Sequence, residues 1–303
     1  MTKDDHETEQ SSALGWVWLS RFIAVDRRLA QRASGNRATR FIYEFIRFGM
    51  KQAWACLFGG AMLALLLATH LWYPKDALFA RYDFLVLAAL SVQVGMLVWR
   101  LETWEEARVI LVFHLVGTAM EIFKTRMGSW IYPEPSLLRL GGVPLFSGFM
   151  YAAVGSYIAR AWRLFDFQFE RYPPLWATWL LAAAIYGNFF LHHYWYDLRW
   201  IILAAFFLLF GRTVIWFRVH HHWRWMPVPI STFLVALFIW IGENIGTWSR
   251  AWIYPSQSSG WSPVPLSKLS AWYLLMIISV VLVTLVQKPK AFDKRGAELQ
   301  PNG

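Results

Sequence analysis

Eight apolar runs follow one another along most of this chain, with short polar segments between them. The runs span approximately 52–72, 84–99, 107–124, 143–161, 175–192, 200–217, 229–247 and 269–286. An apolar helix of about 20 residues is long enough to cross a bilayer. The pattern therefore predicts an all-α integral membrane protein with about eight transmembrane helices.

The two ends of the chain have different patterns. Residues 1–12 are polar and predict a disordered tail, while residues 287–303 predict a polar cytoplasmic tail. Between the first tail and the apolar runs, residues 13–48 alternate apolar and basic side chains. This alternation predicts one or two amphipathic helices that lie in the membrane interface.

Composition agrees with a membrane location. Only 16% of the residues are charged and 57% are apolar, whereas soluble domains have about 25% charged residues. The net charge of +10 comes from basic residues that flank the apolar runs, so membrane lipids are the expected partners and nucleic acid is not. The single cysteine, Cys56, excludes a disulfide within the chain. No nucleotide-binding or metal-binding motif is evident, and we predict neither a cofactor nor a metal.

Basic residues also predict the orientation. With eight spans both termini lie on one side, and that side carries most of the lysines and arginines of the short loops. The positive-inside rule makes this side cytoplasmic. We therefore predict a multi-pass protein of the bacterial cytoplasmic (inner) membrane with both termini in the cytoplasm.

The chain contains an internal repeat. Glu121, Thr125 and the segment Trp130-Ile-Tyr-Pro133 recur 122 residues later, from Glu243 to Pro255. Weaker matches relate Val143-Pro-Leu145 to Val264-Pro-Leu266, His70 to His193, and Tyr82-Asp83 to Tyr196-Asp197. Four spans per copy predict two parallel four-helix repeats, 49–162 and 163–286, related by an axis along the membrane normal.

The repeated polar residues are the candidates for chemistry. His114, Thr118, Glu121 and Thr125 are spaced for one face of a helix, and a charged side chain in a membrane helix should face the bundle interior. The candidate catalytic residues are Glu121, Glu243, His114, Lys124, Asp83 and Asp197. The candidate substrate-binding residues are Trp130, Tyr132, Trp252, Tyr254, His70, His193 and Arg250.

Each candidate also has a purely structural interpretation. The aspartates can be favoured by helix N-termini, and Glu121–Lys124 and Glu243–Arg250 can form structural pairs. The Trp-Ile-Tyr-Pro segments, together with His70 and His193, can be interfacial anchors. Anchoring in the membrane interface does not explain why each Trp-Ile-Tyr-Pro segment begins nine residues after a glutamate.

The arrangement of Glu121, Trp130-Ile-Tyr-Pro133 and Gly142-Val-Pro144, repeated from Glu243, resembles a bacterial multi-pass membrane family known as domain of unknown function 817. The resemblance covers roughly residues 40–286 and implies an integral membrane protein without assigning an activity. A second resemblance is to carotenoid hydratases and heterodimer-type lycopene cyclases, which also place an acid before an aromatic segment and a later proline. The paired glutamates of those cyclases are replaced here by Leu145-Phe146-Ser147 and Leu266-Ser267-Lys268.

Three functions remain open at this point. The first is a membrane enzyme or binder for a lipophilic, isoprenoid-like substrate at the outer leaflet, with a buried glutamate as the acid. The second is a proton-coupled transporter of a small solute, and the third is a non-catalytic module that binds a partner through residues 13–48. The oligomeric state is left open.

Overall fold

The computed structural model describes residues 36–74, 76–220 and 222–293. The predicted tail 1–12, residues 13–35 of the amphipathic segment, and residues 294–303 of the predicted tail 287–303 lie outside the described residues. The chain divides into two compact units, 1–51 and 52–303. The described part of the first unit is helical, and the second unit contains all the sites discussed below.

The described residues are mostly helical, with nine α-helices and six short strands. The helices are α1 (Arg37–Ala55), α2 (Leu57–Trp72), α3 (Arg81–Val98), α4 (Trp104–Arg126), α5 (Phe146–Phe165), α6 (Leu175–Leu191), α7 (Arg199–Phe210), α8 (Val228–Trp248) and α9 (Lys268–Val283). The strands are β1 (Arg139–Leu140), β2 (Val143–Pro144), β3 (Gln168–Glu170), β4 (Val214–Arg218), β5 (Trp223–Pro227) and β6 (Lys290–Ala291). Each of the eight apolar runs coincides with one helix, from α2 to α9.

One predicted helix boundary is wrong. The sixth run was predicted as helix to residue 217, but α7 ends at Phe210 and the chain continues into β4. Valine, isoleucine, tryptophan and phenylalanine at 214–217 favour an extended backbone. Arg212 consequently lies outside the helix and is exposed. The predicted boundary between the amphipathic segment 13–48 and the first repeat lies within α1, which continues to Ala55.

The segment predicted as a short polar loop at 217–226 instead forms most of a hairpin. Strands β4 and β5 pair antiparallel, and the sheet has the order β5-β4-β3-β6 with β3 and β6 parallel. The rings of Trp216 and Phe292 stack with centroids 4.1 Å apart. This sheet joins the end of α5 to the segments that follow α7 and α9.

Among the helices that the structure describes, two are long and apolar enough to cross a membrane, Arg81–Val98 and Val228–Trp248. The bent pair 38–55 and 57–72 adds a third if it is counted as one span. Helices α6, α7 and α9 are apolar but have 17, 12 and 16 residues. At about 1.5 Å per residue, they are shorter than a hydrocarbon core of about 30 Å.

Helices α4 and α5 pack closely along their lengths because glycines lie at their contacts. A Cβ on Gly117 of α4 would come within 2.6 Å of the Cβ and Cγ of Tyr151 on α5. A Cβ on Gly155 of α5 would come within 2.6 Å of the Phe113 ring. This close approach brings Tyr151 against the polar face of α4.

We expect Gly117→Ala to destabilise the protein by about 1–3 kcal/mol, because overpacking forces neighbouring atoms apart. The clashing atoms are the near end of the Tyr151 side chain and cannot swing away. Gly187→Ala is the matched control, since nothing lies within 4 Å of the added Cβ in the middle of α6. It should stabilise the protein by up to about 1 kcal/mol through helix propensity. The free energy of unfolding in detergent micelles measures both effects. Equal changes for the two substitutions would contradict the close packing of Gly117 against Tyr151.

Candidate functional site

Glu121 is the centre of a hydrogen-bonded cluster at the end of α4. Its side chain is buried. One carboxylate oxygen, Oε2, accepts hydrogen bonds from Trp130 Nε1 at 2.7 Å and from the Tyr132 hydroxyl at 2.6 Å. The other oxygen, Oε1, accepts one from the Tyr151 hydroxyl at 2.9 Å. Three aromatic side chains therefore satisfy one buried carboxylate.

Glu243 on α8 has a similar environment. It is buried, its Oε1 accepts a hydrogen bond from the Tyr254 hydroxyl, and its Oε2 accepts one from Trp272 Nε1. Among the described hydrogen bonds, none joins Trp252, a candidate substrate-binding residue, to Glu243. The Trp252 ring occupies the space beside Gly246, where a Cβ would lie 2.2 Å from the ring.

The donors occupy corresponding positions in the two halves of the sequence. Tyr132 and Tyr254 are 122 residues apart, as the two glutamates are, and Tyr151 and Trp272 are 121 residues apart. Tyr151 and Trp272 were not among the predicted site residues. Each follows the repeated proline by seven residues, and this common position is the signal that could have identified them.

The two Trp-Ile-Tyr-Pro segments lie side by side. Ile131 and Ile253, which are 122 residues apart, donate backbone hydrogen bonds to each other's carbonyl oxygens, both at 3.0 Å. The rings of Trp130 and Tyr254 meet edge to face with centroids 6.1 Å apart. The aromatic partners of both glutamates consequently form one site.

Electrostatics also couple the two glutamates to this aromatic site. Burial raises the pKa of Tyr254, and the charges of Glu243 and Glu121 raise it further. Burial and Glu121 likewise raise the pKa of Tyr132. Both hydroxyls thus stay protonated and available as donors to the carboxylates.

Lys124 does not pair with Glu121. Its Nζ lies 2.9 Å from His193 Nε2 and 3.4 Å from His192 Nε2, and 4.2 Å from the centroid of the Phe189 ring. Within the described ranges, no ion pair joins Lys124 to Glu121, so the predicted structural pair is wrong. Desolvation and the nearby Lys124 charge lower the pKa of His193.

The predicted pair of Glu243 with Arg250 is also wrong. Helix α8 ends at Trp248, and Arg250 lies beyond it with a left-handed backbone (φ 55°) and an exposed side chain. Because Arg250 lies outside the helix, the i,i+7 spacing does not place it on the same helical face as Glu243. In the described part of the chain, no salt bridge to Glu243 is formed by Arg250.

The polar stripe of α4 faces α5, as predicted for the interior of the bundle. A Cβ on Gly148 of α5 would lie 2.4 Å from Thr118 Oγ1 and 2.5 Å from His114 Nδ1. The His114 ring also packs on Phe149, with centroids 4.4 Å apart. His114 is therefore next to α5, and its direct contacts do not include the Glu121 carboxylate.

Asp83 and Asp197 do not occupy equivalent places. Helices α3 and α7 begin at Arg81 and Arg199, so Asp83 lies inside a first turn, whereas Asp197 precedes its helix. The predicted match of these aspartates is consequently wrong in register. The buried Asp83 carboxylate accepts backbone hydrogen bonds from Leu137 at 2.8 Å and Leu138 at 2.7 Å. These bonds hold the loop before β1, a structural role.

Asp197 is more accessible and lies in a different network. It accepts hydrogen bonds from Asn188 Nδ2 at 3.1 Å and Arg199 Nε at 2.8 Å. Burial opposes ionisation, but the hydrogen bonds from Asn188 and the Arg199 backbone and the Arg199 charge lower the pKa of Asp197. A cleft of about 400 Å³ lies beside it.

The two predicted histidines each contact the third helix of the other half. The His70 ring packs on Trp248, with centroids 5.0 Å apart, and the His193 ring packs on Phe123 at 5.7 Å. A loop acid that sequence reasoning missed, Glu134, forms a salt bridge with Arg81 at 3.2 Å. Among the described residues, no group of three histidine, cysteine or acidic side chains is placed to hold a metal ion.

Comparisons with known proteins agree with the predicted family. The family model described as "Protein of unknown function (DUF817)" matches residues 44–280. The chain is 42% identical over 260 residues to the uncharacterized protein YoaT of Bacillus subtilis (strain 168), which covers 86% of this chain and 98% of the relative. No solved structure matches the chain. The chain therefore belongs to the DUF817 family.

Proposed function

We propose that this protein is a multi-pass membrane enzyme that acts on a lipophilic substrate, with Glu121 and Glu243 as an acid–base centre near the outer leaflet. The observation that carries the proposal is the enclosure of both buried glutamates by aromatic donors. The proposal places eight helices, α2–α9, across the membrane as two parallel four-helix repeats. Both termini then lie in the cytoplasm.

Several contacts support the repeat arrangement. The reciprocal bonds of Ile131 and Ile253 join identical positions of the two copies, as a two-fold axis requires. The repeat spacing also relates two pairs of donors to the carboxylates, Tyr132 with Tyr254 and Tyr151 with Trp272. The short helices are compatible with the proposal, because a span can be completed by the segment that follows the helix or by local thinning of the bilayer.

The surroundings of Glu121 suit proton transfer. A buried carboxyl group that carries a proton can give it to a carbon–carbon double bond, forming a C–H bond and leaving a cation on the neighbouring carbon. The hydroxyls of Tyr132 and Tyr151 then stabilise the carboxylate that remains. Aromatic faces stabilise the carbocation. Return of a proton to the carboxylate, from the cation or from water that adds to it, completes the cycle.

The proposal is tested by substituting each glutamate separately. In a strain that lacks the native gene, Glu121→Gln and Glu243→Gln should remove a lipid change that the wild-type protein produces, because glutamine cannot supply a proton. The loss should be about 100-fold or more, as expected for a general acid. Mass spectrometry of total lipid extracts measures the change.

Glu105→Gln provides the matched control, since it makes the same substitution at an exposed position of α4. It should leave the lipid profile unchanged. Lipid profiles that are identical for wild type, Glu121→Gln and Glu243→Gln would contradict the proposed enzymatic activity. Solute uptake that is lost in the two variants, with an unchanged lipid profile, would favour the proton-coupled transporter instead.

A further inference from the structure

Lys124, at the end of α4, contacts the segment between α6 and α7 through two histidines. Its side chain is buried, and its Nζ lies 2.9 Å from His193 Nε2 and 3.4 Å from His192 Nε2. The Nζ also lies 4.2 Å from the centroid of the Phe189 ring. The three N–H bonds of the ammonium group therefore have two imidazole acceptors and one aromatic face. We call Lys124, His192 and His193 the lysine–histidine contact.

The hydrogen bonds of this contact require both imidazole rings to be neutral. An ammonium group only donates, so the Nε2 atom of each ring must offer a lone pair. The other nitrogen of His192, Nδ1, lies 2.8 Å from the carbonyl oxygen of Asn188, which only accepts. The proton of neutral His192 is consequently on Nδ1. A second proton on either ring would lie on Nε2 and point at Lys124, and repulsion between two cations would replace the hydrogen bond.

The other charged groups near this contact do not remove that repulsion. Arg199, at the start of α7, and Lys268, at the start of α9, both add positive charge that acts on Lys124. Asp197 attracts Lys124 and His192, but its salt bridge is with Arg199, at 2.8 Å. A proton on either histidine thus adds to an environment that is already positive.

His70, which corresponds to His193 in the other half of the sequence, makes a contact of a different kind. Its ring packs on Trp248 of α8, with centroids 5.0 Å apart. A protonated imidazole is still attracted to the face of an aromatic ring, so acid should not weaken this contact. The residue 122 positions after Lys124 is Gly246. The lysine is therefore present in one half and missing from the corresponding position of the other.

We propose that the lysine–histidine contact is a proton-operated switch between α4 and the segment that joins α6 to α7. Uptake of a proton by His193 or His192 releases the end of α4, while the contact of His70 with Trp248 holds. His193 is exposed, so protons from the solvent reach it. In the proposed orientation the switch lies on the outer side of the membrane, and the pH of the external medium sets its state.

The switch opens in acid. Desolvation, followed by the charges of Lys124, His192 and Lys268, lowers the pKa of His193 below the ordinary histidine value of about 6.5. A base whose pKa is lower in the closed state stabilises that state above pH about 6.5 and loses this contribution as the pH falls. The ratio of closed to open molecules should therefore fall by at most about tenfold per pH unit for each proton taken up.

Pairs of spin labels measure the opening in the full chain reconstituted in lipid nanodiscs. All labels are attached in a Cys56→Ser background, which removes the single native cysteine. Arg126→Cys with Tyr196→Cys places labels on the two sides of the lysine–histidine contact. Leu71→Cys with Ile241→Cys places them on α2 and α8, on the two sides of the His70 contact. All four labelled positions are exposed.

The two distances should respond differently to acid. Between about pH 7.5 and about pH 5, which lie on either side of the ordinary histidine pKa, the distance between positions 126 and 196 should lengthen. The distance between positions 71 and 241 should not change. A distance between 126 and 196 that is the same at both pH values would overturn the proposal. Equal lengthening of both distances would also overturn it, because general unfolding in acid would explain that result.

Substitutions at the contact show whether the histidine proton is responsible. The double variant His192→Gln with His193→Gln keeps an acceptor oxygen for Lys124 but cannot take up a proton, so it should stay closed at both pH values. Lys124→Gln removes the repelled charge and should reduce the response to acid. His222→Gln, at an exposed position between β4 and β5, should open as the wild type does. If the histidine variant does not fold, Lys124→Gln decides, and a full response to acid in that variant would overturn the proposal.

The switch and the acid–base centre can fail separately, because the spin-label distances do not depend on lipid chemistry. Opening in acid, together with lipid profiles that are unchanged in Glu121→Gln and Glu243→Gln, would keep the switch and reject the enzyme. Lipid chemistry that is lost in these two variants, together with a fixed distance between positions 126 and 196, would keep the enzyme and reject the switch.

Discussion

Replacing Arg160 with methionine is expected to destabilise the protein by about 3–5 kcal/mol, the effect of removing one partner of a buried ion pair. Arg160 Nη2 lies 3.4 Å from Glu102 Oε1, and both side chains are completely buried. Methionine fills much of the same volume but leaves the Glu102 charge without its cation. The free energy of unfolding in detergent micelles measures this effect.

The surroundings of Glu102 show why the loss should be large. Gln93 Nε2 donates to Glu102 Oε2 at 2.5 Å, and Ser156 Oγ donates to Oε1 at 3.5 Å. These groups are neutral and cannot replace a cation. Arg160 Nη1 also donates to the carbonyl oxygen of Trp54 at 3.3 Å, so the substitution breaks contacts on two sides.

Two further variants separate the charge from the packing. Adding Glu102→Gln to Arg160→Met removes the unpaired charge and should recover at least half of the loss, since replacing both partners is far less destabilising. Arg108→Met makes the same substitution at an exposed position of α4 and should change stability by less than about 0.5 kcal/mol. If the double variant is no more stable than Arg160→Met, then the unpaired Glu102 charge does not explain the destabilisation.

The hydropathy pattern predicted the positions of the helices because each of them contains a long run of apolar residues. It failed at the end of α7, where the apolar run was continued through Gly211, Arg212 and Thr213 into the apolar residues of strand β4. Hydropathy records burial, and it does not distinguish a buried helix from a buried strand. The break at Cys56, between α1 and α2, was missed for a similar reason, since apolar residues continue across it.

The candidate site could be predicted where both halves kept the same residue. Glu121 and Tyr132, and Glu243 and Tyr254, were found because each tyrosine follows its glutamate by eleven residues. Tyr151 and Trp272 were missed because different residue types make the same contact. Long-range pairs such as Arg160 with Glu102, 58 residues apart, leave no periodic signal in one sequence.

Replacing Glu121 with leucine is expected to have a similarly large effect on stability. The carboxylate is the acceptor for Trp130, Tyr132 and Tyr151, and leucine would leave three half-buried donors without this partner. A buried donor that loses its acceptor costs about 1–3 kcal/mol. Because such losses are not additive, we expect a total of about 3–6 kcal/mol. Unfolding in micelles measures it, with Glu105→Leu as the exposed control on α4.

Glu121→Gln should be milder than Glu121→Leu. Its amide keeps one acceptor oxygen, and its NH₂ group can donate to a tyrosine hydroxyl that rotates to accept. Adding Tyr132→Phe and Tyr151→Phe to Glu121→Leu removes two of the three unpaired hydroxyls. The triple variant should therefore regain part of the stability lost in the single variant.

These two substitutions distinguish a structural glutamate from a functional one. A structural acceptor predicts a large loss of stability in Glu121→Leu and normal lipid chemistry in any folded variant. An acid–base group predicts that Glu121→Gln folds but loses its effect on lipids, because its hydrogen bonds largely remain while its proton is gone. A stable Glu121→Leu would show that the aromatic donors do not depend on the carboxylate, which would contradict the geometry on which the proposed centre rests.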